Sequence, residues 1–176
     1  MSSRVVYRVT ADATFASSAA LNNLWSQSIP ARLFGTSRLL RVQMFGTYNN
    51  NSGGTSTLRF QVIYGATTLW DDTSAANANS AVVRPWMITF SLFNDAATNA
   101  QVLHGHVEFQ TVAAATTGLG DIGATAGANS LNQNFRGTAA EDSTAAKTLT
   151  VKAAHSANNA NTTITMEYLI AELIGQ

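Results

Sequence analysis

Apolar residues recur at every second position along much of this chain, and that period limits the possible folds more than any other feature. In residues 37–48, Leu40, Val42 and Met44 share one face while Arg38, Gln43 and Thr47 stand among polar positions. In residues 57–64, Leu58, Phe60, Val62 and Tyr64 alternate with Thr57, Arg59 and Gln61, and Ile63 is the exception. Residues 84–94 place Trp86, Ile88, Phe90 and Leu92 on one face, and residues 100–112 do the same with Leu103, Val107 and Phe109. Two further runs follow, Leu149, Val151 and Ala153 in one and Ile164, Met166, Tyr168 and Ile170 in the other. Side chains of an extended strand point alternately to opposite faces, so each run reads as a half-buried strand. Residues 4–10, 24–29 and 67–70 complete the set of expected strands.

Turn signals separate the runs. The sequence NNNSGG at residues 49–54 supplies asparagines and glycines that tolerate positive φ, and it predicts a hairpin between the strands on either side. One segment also fits a helix: over residues 16–27, Leu21, Leu24 and Trp25 fall at three- and four-residue spacing. Pro30 follows closely and residues 26–29 alternate, which favours a strand there. Short strands, frequent turns and no sustained helix predict an all-β fold, a single-domain antiparallel jelly roll or β-sandwich of about eight to nine strands. An extended N-terminal arm is expected over residues 1–20, and a flexible Gly/Ala-rich loop over residues 113–137.

Composition explains how such a sheet protein would live in solution or in an assembly. Charged residues make up 11%, against about 25% in ordinary domains, and ten basic groups cancel ten acidic ones. Without an excess of Lys and Arg there is no electrostatic footprint for nucleic acid. No run approaches the roughly 20 apolar residues of a membrane span, and no leader is expected. The chain has no cysteine, so disulfides and thiolate metal sites are excluded. Ser, Thr and Asn supply about 30% of the residues. Yet 45% are hydrophobic, with eight Phe, four Tyr and three Trp, which is too much apolar surface for a disordered chain. A neutral polar surface suits subunits that cover one another, because fixed charges in a contact cost desolvation. Only Lys147, Lys152, Pro30 and Pro85 are available to protect strand edges in the usual way, so edges must be closed or covered. Residues 1–88 carry seven Arg against three Asp, and the second half reverses the balance; strands that interleave in a jelly roll would erase that asymmetry.

No motif carries a reaction. GLGDIG at residues 118–123 has the G-x-G-x-x-G spacing, but the following ATAGANSLNQNF opens no helix to hold a pyrophosphate, so it reads as loop. His104, His106 and Glu108 lie two apart on an expected strand and share a face, where they could ligate a metal or simply face solvent; His155 is remote. The adjacent pairs Asp71–Asp72 and Glu141–Asp142 point to opposite faces if extended, which fits turn and cap duty better than paired acid catalysis. Trp25, Trp70 and Trp86 sit beside apolar runs and read as core rather than as sugar platforms. No catalytic, cofactor or metal residue is assigned, and no enzymatic activity is expected.

The segments LWSQSIPARLFG, LLRVQMFGTYNNNSGGTSTLRFQVIYGATTLWDD and RPWMITFSLFN, mainly within residues 24–110, resemble small all-β structural proteins carried by tailed bacteriophages. The resemblance implies a virion role: a capsid decoration or cement protein on the outer head surface, made in the host cytoplasm. It implies as partners the major capsid protein and further copies of the chain, as a homotrimer. Nucleic acid and membrane are not expected partners. Host adhesion through a glycan at a tail or head-fibre tip is the alternative. Residues 1–20 and 113–137 are the expected contact segments.

Overall fold

The computed structural model describes residues 2–35, 37–74, 76–110 and 130–175. Among them there is no helix, and eleven strands form two antiparallel sheets. The strands are β1 (Ser2–Val9), β2 (Ala13–Ala16), β3 (Asn22–Ile29), β4 (Arg38–Asn50), β5 (Leu58–Tyr64) and β6 (Thr67–Thr73). They continue with β7 (Ser80–Asn94), β8 (Gln101–Gln110), β9 (Ser130–Ala139), β10 (Lys147–His155) and β11 (Thr162–Gly175). The larger sheet runs β1-β11-β4-β7-β8-β9, with β2 also on β11, and the smaller runs β3-β10-β5-β6.

Setting aside β8 and β9, and counting β1 with β2 as one edge, eight strands remain in the orders 1-8-3-6 and 2-7-4-5. That is a jelly roll. It can be unrolled into one long antiparallel ribbon, in which β1 pairs β11, β3 pairs β10, β4 pairs β7 and β5 pairs β6. The ribbon's tip is the tight β5–β6 turn, where Gly65 takes φ +61°. Rolling it up adds the β4–β11 and β5–β10 pairings. Early and late strands thus interleave, and the charge asymmetry between the halves of the sequence does not become two separate faces.

Alternation fills the interior. Leu40, Val42, Met44, Ile88 and Phe90 point inward from the larger sheet and meet Phe60, Val62, Leu149 and Val151 from the smaller. Phe60 and Trp86 bridge the sheets with ring centroids 5.2 Å apart. All three tryptophans are buried, as their apolar flanks predict. The edges are closed by specific contacts. On one side the Tyr7 hydroxyl donates to the Ser28 carbonyl at 3.0 Å, and its ring meets Trp25 edge-on. On the other, β9 curls over β6, and Phe135 stacks flat on Trp70 at 4.0 Å. Two glycines permit that approach: a Cβ on Gly137 would lie 1.8 Å from the Leu69 carbonyl oxygen, and one on Gly105 would enter the Phe135 ring.

Four expectations need correction. The strands flanking residues 49–54 are not a hairpin: β4 and β5 lie in different sheets, and the chain arches between them. Two strands with one apolar face each can bury those faces side by side or face to face, and only the interior decides. Here the buried Asn50 side chain holds the arch by donating to the carbonyls of Gly54 and Asn77 at 2.9 and 3.1 Å. The expected N-terminal arm is largely sheet, because β1 and β2 pair along β11. The expected loop 113–137 ends early, since residues 130–137 belong to β9; its part at 113–129, with the GLGDIG motif, lies outside the described residues. Finally, the strands among the described residues number eleven rather than eight or nine, β2 and β9 being too poor in apolar alternation to announce themselves.

Candidate functional site

A depression lies on the outer face of the larger sheet. Along β7 the outward residues Thr89 and Ser91 are short, while their neighbours on both sides are long. Gln43, Thr89, His106 and Asn134 form one row across β4, β7, β8 and β9, and Arg41, Ser91, His104 and Arg136 form the next. The result is an open trough of about 350 Å³. Its floor is the two hydroxyls with the backbone of Phe90 and Gly105, and its walls are Arg41 and Gln43 on one side and the two histidines on the other. Strands are spaced by about 4.8 Å, so the walls stand roughly 10 Å apart.

The wall side chains differ in how firmly they are held. His106 Nδ1 lies 3.0 Å from Asn134 Oδ1. An amide oxygen only accepts, so Nδ1 carries the proton, and in the neutral ring Nε2 is left as an acceptor. The His104 ring lies parallel to Phe93, 7° from coplanar orientation at 6.2 Å. Arg41 is exposed and stands opposite Glu172 in the β4–β11 register, yet the two form no ion pair. The side chains of Arg41, Gln43, Thr89 and Ser91 have no hydrogen-bonding partner among the described residues. His104, His106 and Glu108 do share the outer face, but among the described residues no three His, Asp or Glu side chains are grouped to hold a metal.

The other polar candidates serve the fold. Glu141 accepts from the Ala66 amide, the Thr67 hydroxyl and Lys147 Nζ at 2.8, 2.9 and 2.9 Å, clamping the β5–β6 turn. These contacts, led by Lys147, hold its pKa down at about 2. The neighbouring Tyr64 is pushed up to about 12 by burial and by the charges of Glu141 and Asp142. Asp142 receives the Thr144 amide and hydroxyl, Asp72 the Thr73 amide, and Asp71 is forked by Arg59 and bonded by Gln61. The Arg59 contacts hold the Asp71 carboxyl below its usual range. His155 is buried at the end of β10, where desolvation lowers its pKa and keeps it neutral. Glu141 and Asp142 therefore serve a turn, as their adjacency predicts, whereas Asp71 and Asp72 lie within β6, where Asp71 pairs across to Arg59 on β5.

The trough was invisible as a unit in the sequence. The spacing of His104 and His106 shows one wall; the floor and the opposite wall come from strands 13 to 65 positions away, joined only by register.

No protein-family model and no curated protein matches the chain. Among solved structures, the T13 particle of infectious bursal disease virus aligns with 98% of this chain at 13% identity and TM-score 0.44. The VP2 subviral particle of that virus aligns with 98% at 14% identity and TM-score 0.39. The CBM2 module of the evolved Dit of Lactobacillus casei BL23 phage J-1 aligns with 84% at 9% identity and TM-score 0.35. The chain spans about a third of the length of the first two and 67% of the third.

Proposed function

We propose that this chain is a structural virion protein, a decoration or cement subunit on the outer surface of a phage head, bound to the major capsid protein and to copies of itself as a trimer. The sequence resemblance within residues 24–110 motivates the reading. The structural observation that carries it is the start of β7. Val82 and Val83 are adjacent, so they point to opposite faces, yet they are 48% and 56% exposed. Neither face of this stretch is covered by the sandwich. An extended segment that offers apolar side chains on both sides is a natural grip for a neighbouring subunit. Repeated over a lattice, individually weak grips of this kind add up to firm attachment.

The N-terminal strands are engaged in the sheet, which moves the expected contact from residues 1–20 to this valine stretch. Immunogold microscopy of particles from the source lysate, with an antibody raised to the chain, tests the reading. Label over heads is the expected result, and its absence from heads overturns decoration. Label confined to tail or fibre tips would support host adhesion, a second reading favoured by the trough on β4, β7 and β8 rather than by the tryptophans, whose faces are buried.

A further inference from the structure

We infer that the trough along β7 is a binding site for an acidic saccharide, a sugar chain bearing a carboxylate. The inference deepens the adhesion reading and takes its setting from it, but its chemistry rests on the trough alone. Four observations converge. Arg41 is exposed, has no hydrogen-bond or ion-pair partner among the described residues, and stands at one wall. A guanidinium presents its donors as a fork that matches a carboxylate bidentately. Ser91 and Thr89 line the floor with hydroxyls that both donate and accept, and the Gln43 amide does the same beside them. His106, its Nδ1 committed to Asn134, leaves Nε2 as an acceptor.

Together these groups form a mixed donor and acceptor lining beside Arg41, with Arg136 beyond His104 in the same row. Sugar hydroxyls have the same dual character. A phosphodiester offers acceptors only and so matches less of this mixed lining. The acidic Glu172 and Glu108, one beside Arg41 in its row and one beyond His106 on β8, further disfavour a polyanion. The trough's volume lies at the lower end of the roughly 300–1,000 Å³ range of small-ligand sites, too large for a lone carboxylate. Apolar rows bound the polar band at both ends, Leu39 with Phe93 on one side and Phe45 with Met87 on the other, and these give sugar C–H faces something to lie against.

Val82 and Val83 lie far along the same sheet. The β4 partners in the trough are Arg41 and Gln43, whereas the valine stretch lies between the pairings of Tyr48 with Arg84 and Asn50 with Ser80. At about 3.4 Å per residue that separation is roughly 20 Å, so a subunit gripped by the valines keeps the trough open.

The test is retention of the full chain on an array of uronate- and sialate-bearing oligosaccharides, each beside its neutral counterpart and with a single-stranded oligonucleotide as a further probe. The best acidic ligand is expected to bind at least tenfold more tightly than its neutral counterpart. Arg41→Ala should abolish that preference, and Arg41→Lys, which keeps charge but loses the fork, should weaken binding several-fold. Ser91→Trp should fill the floor and remove binding, while Lys152→Ala on the smaller sheet should leave it unchanged. Arg41 is exposed, so its variants keep the fold, and unchanged thermal melting checks this. No acidic glycan retained, equal binding of neutral and acidic forms, preference for the oligonucleotide, or full binding by Arg41→Ala would each overturn the inference. Particle labelling by Arg41→Ala separates the two readings, because a failed glycan site leaves attachment to particles intact.

Discussion

The outer faces of the two sheets are finished differently. On the smaller sheet the polar side chains engage one another: Arg59 forks Asp71, Gln61 joins them, and the Ser26 and Thr150 hydroxyls meet at 3.1 Å. Both ion pairs among the described residues, Arg59–Asp71 and Lys147–Glu141, belong to this sheet and its loops. On the larger sheet such pairing is partial: the Thr14 and Thr165 hydroxyls meet, Thr47 donates to Glu167 and His106 bonds Asn134. Every exposed large apolar side chain among the described residues, Val5, Phe45, Val82 and Val83, lies on its strands, and in the trough the side chains of Arg41, Gln43, Thr89 and Ser91 have no hydrogen-bonding partner among the described residues. A surface whose groups satisfy one another gains little from a ligand, whereas free donors, acceptors and apolar side chains gain on every contact. The proposed division of labour, support on the smaller sheet and recognition on the larger, rests on this difference.

The largest way to break that division is to cut the seam where the larger sheet leans on the smaller. Trp70→Ala removes the stack with Phe135 and leaves a cavity, for an expected loss of about 3 kcal/mol and a fall in melting temperature of roughly 10 °C by calorimetry. Gly137→Ala attacks the same seam by crowding the Leu69 backbone. It should cost about 2 kcal/mol in urea denaturation and loosen β8, the wall that carries both histidines.

Glu141→Gln tests the clamp on the smaller sheet's turn and should cost about 1–2 kcal/mol near neutral pH, since it weakens charged hydrogen bonds. The native carboxyl has its pKa depressed from 4.5 to about 2. Its contribution is therefore complete above pH 4.5 and lost as pH falls toward 2, and the variant should show a shallower acid decline over that window in denaturant midpoints. His155 acts in the same direction nearer neutrality. Its pKa is lowered in the fold, so stability should begin to fall below the ordinary histidine value of about 6.5, where only the unfolded chain takes up the proton.

The smallest effects on stability carry the sharpest functional contrast. Val82→Ser with Val83→Ser should change stability by no more than about 0.5 kcal/mol per site and yet remove attachment to particles in a sedimentation assay. Arg59→Ala on the smaller sheet should leave thermal melting nearly unchanged, since an exposed ion pair contributes little, and leave attachment and glycan retention as they are.

Much of the framework was legible in residues alone. Nine expected strands correspond to nine of the eleven, because Leu40–Val42–Met44 or Trp86–Ile88–Phe90 need only a period of two to declare a buried face. β9 escaped because Phe135 stands between the polar Asn134 and Arg136, and its place depends on Gly137 meeting the Leu69 backbone, a long-range event. The NNNSGG stretch announced a reversal correctly but not its kind, since the same turn residues serve a hairpin within a sheet and an arch between sheets. Asn50 settles the matter by bonding Asn77, whose position no local pattern gives.

The sequence by itself determined that the chain is all-β and that its tryptophans are core, because each of these follows from side-chain alternation within a few residues. The tertiary structure alone decided which strands pair, and with that the trough. Arg41, Ser91 and His104 are brought into one row by register between β4, β7 and β8, and register is fixed by how the buried faces of distant strands fit together in the core.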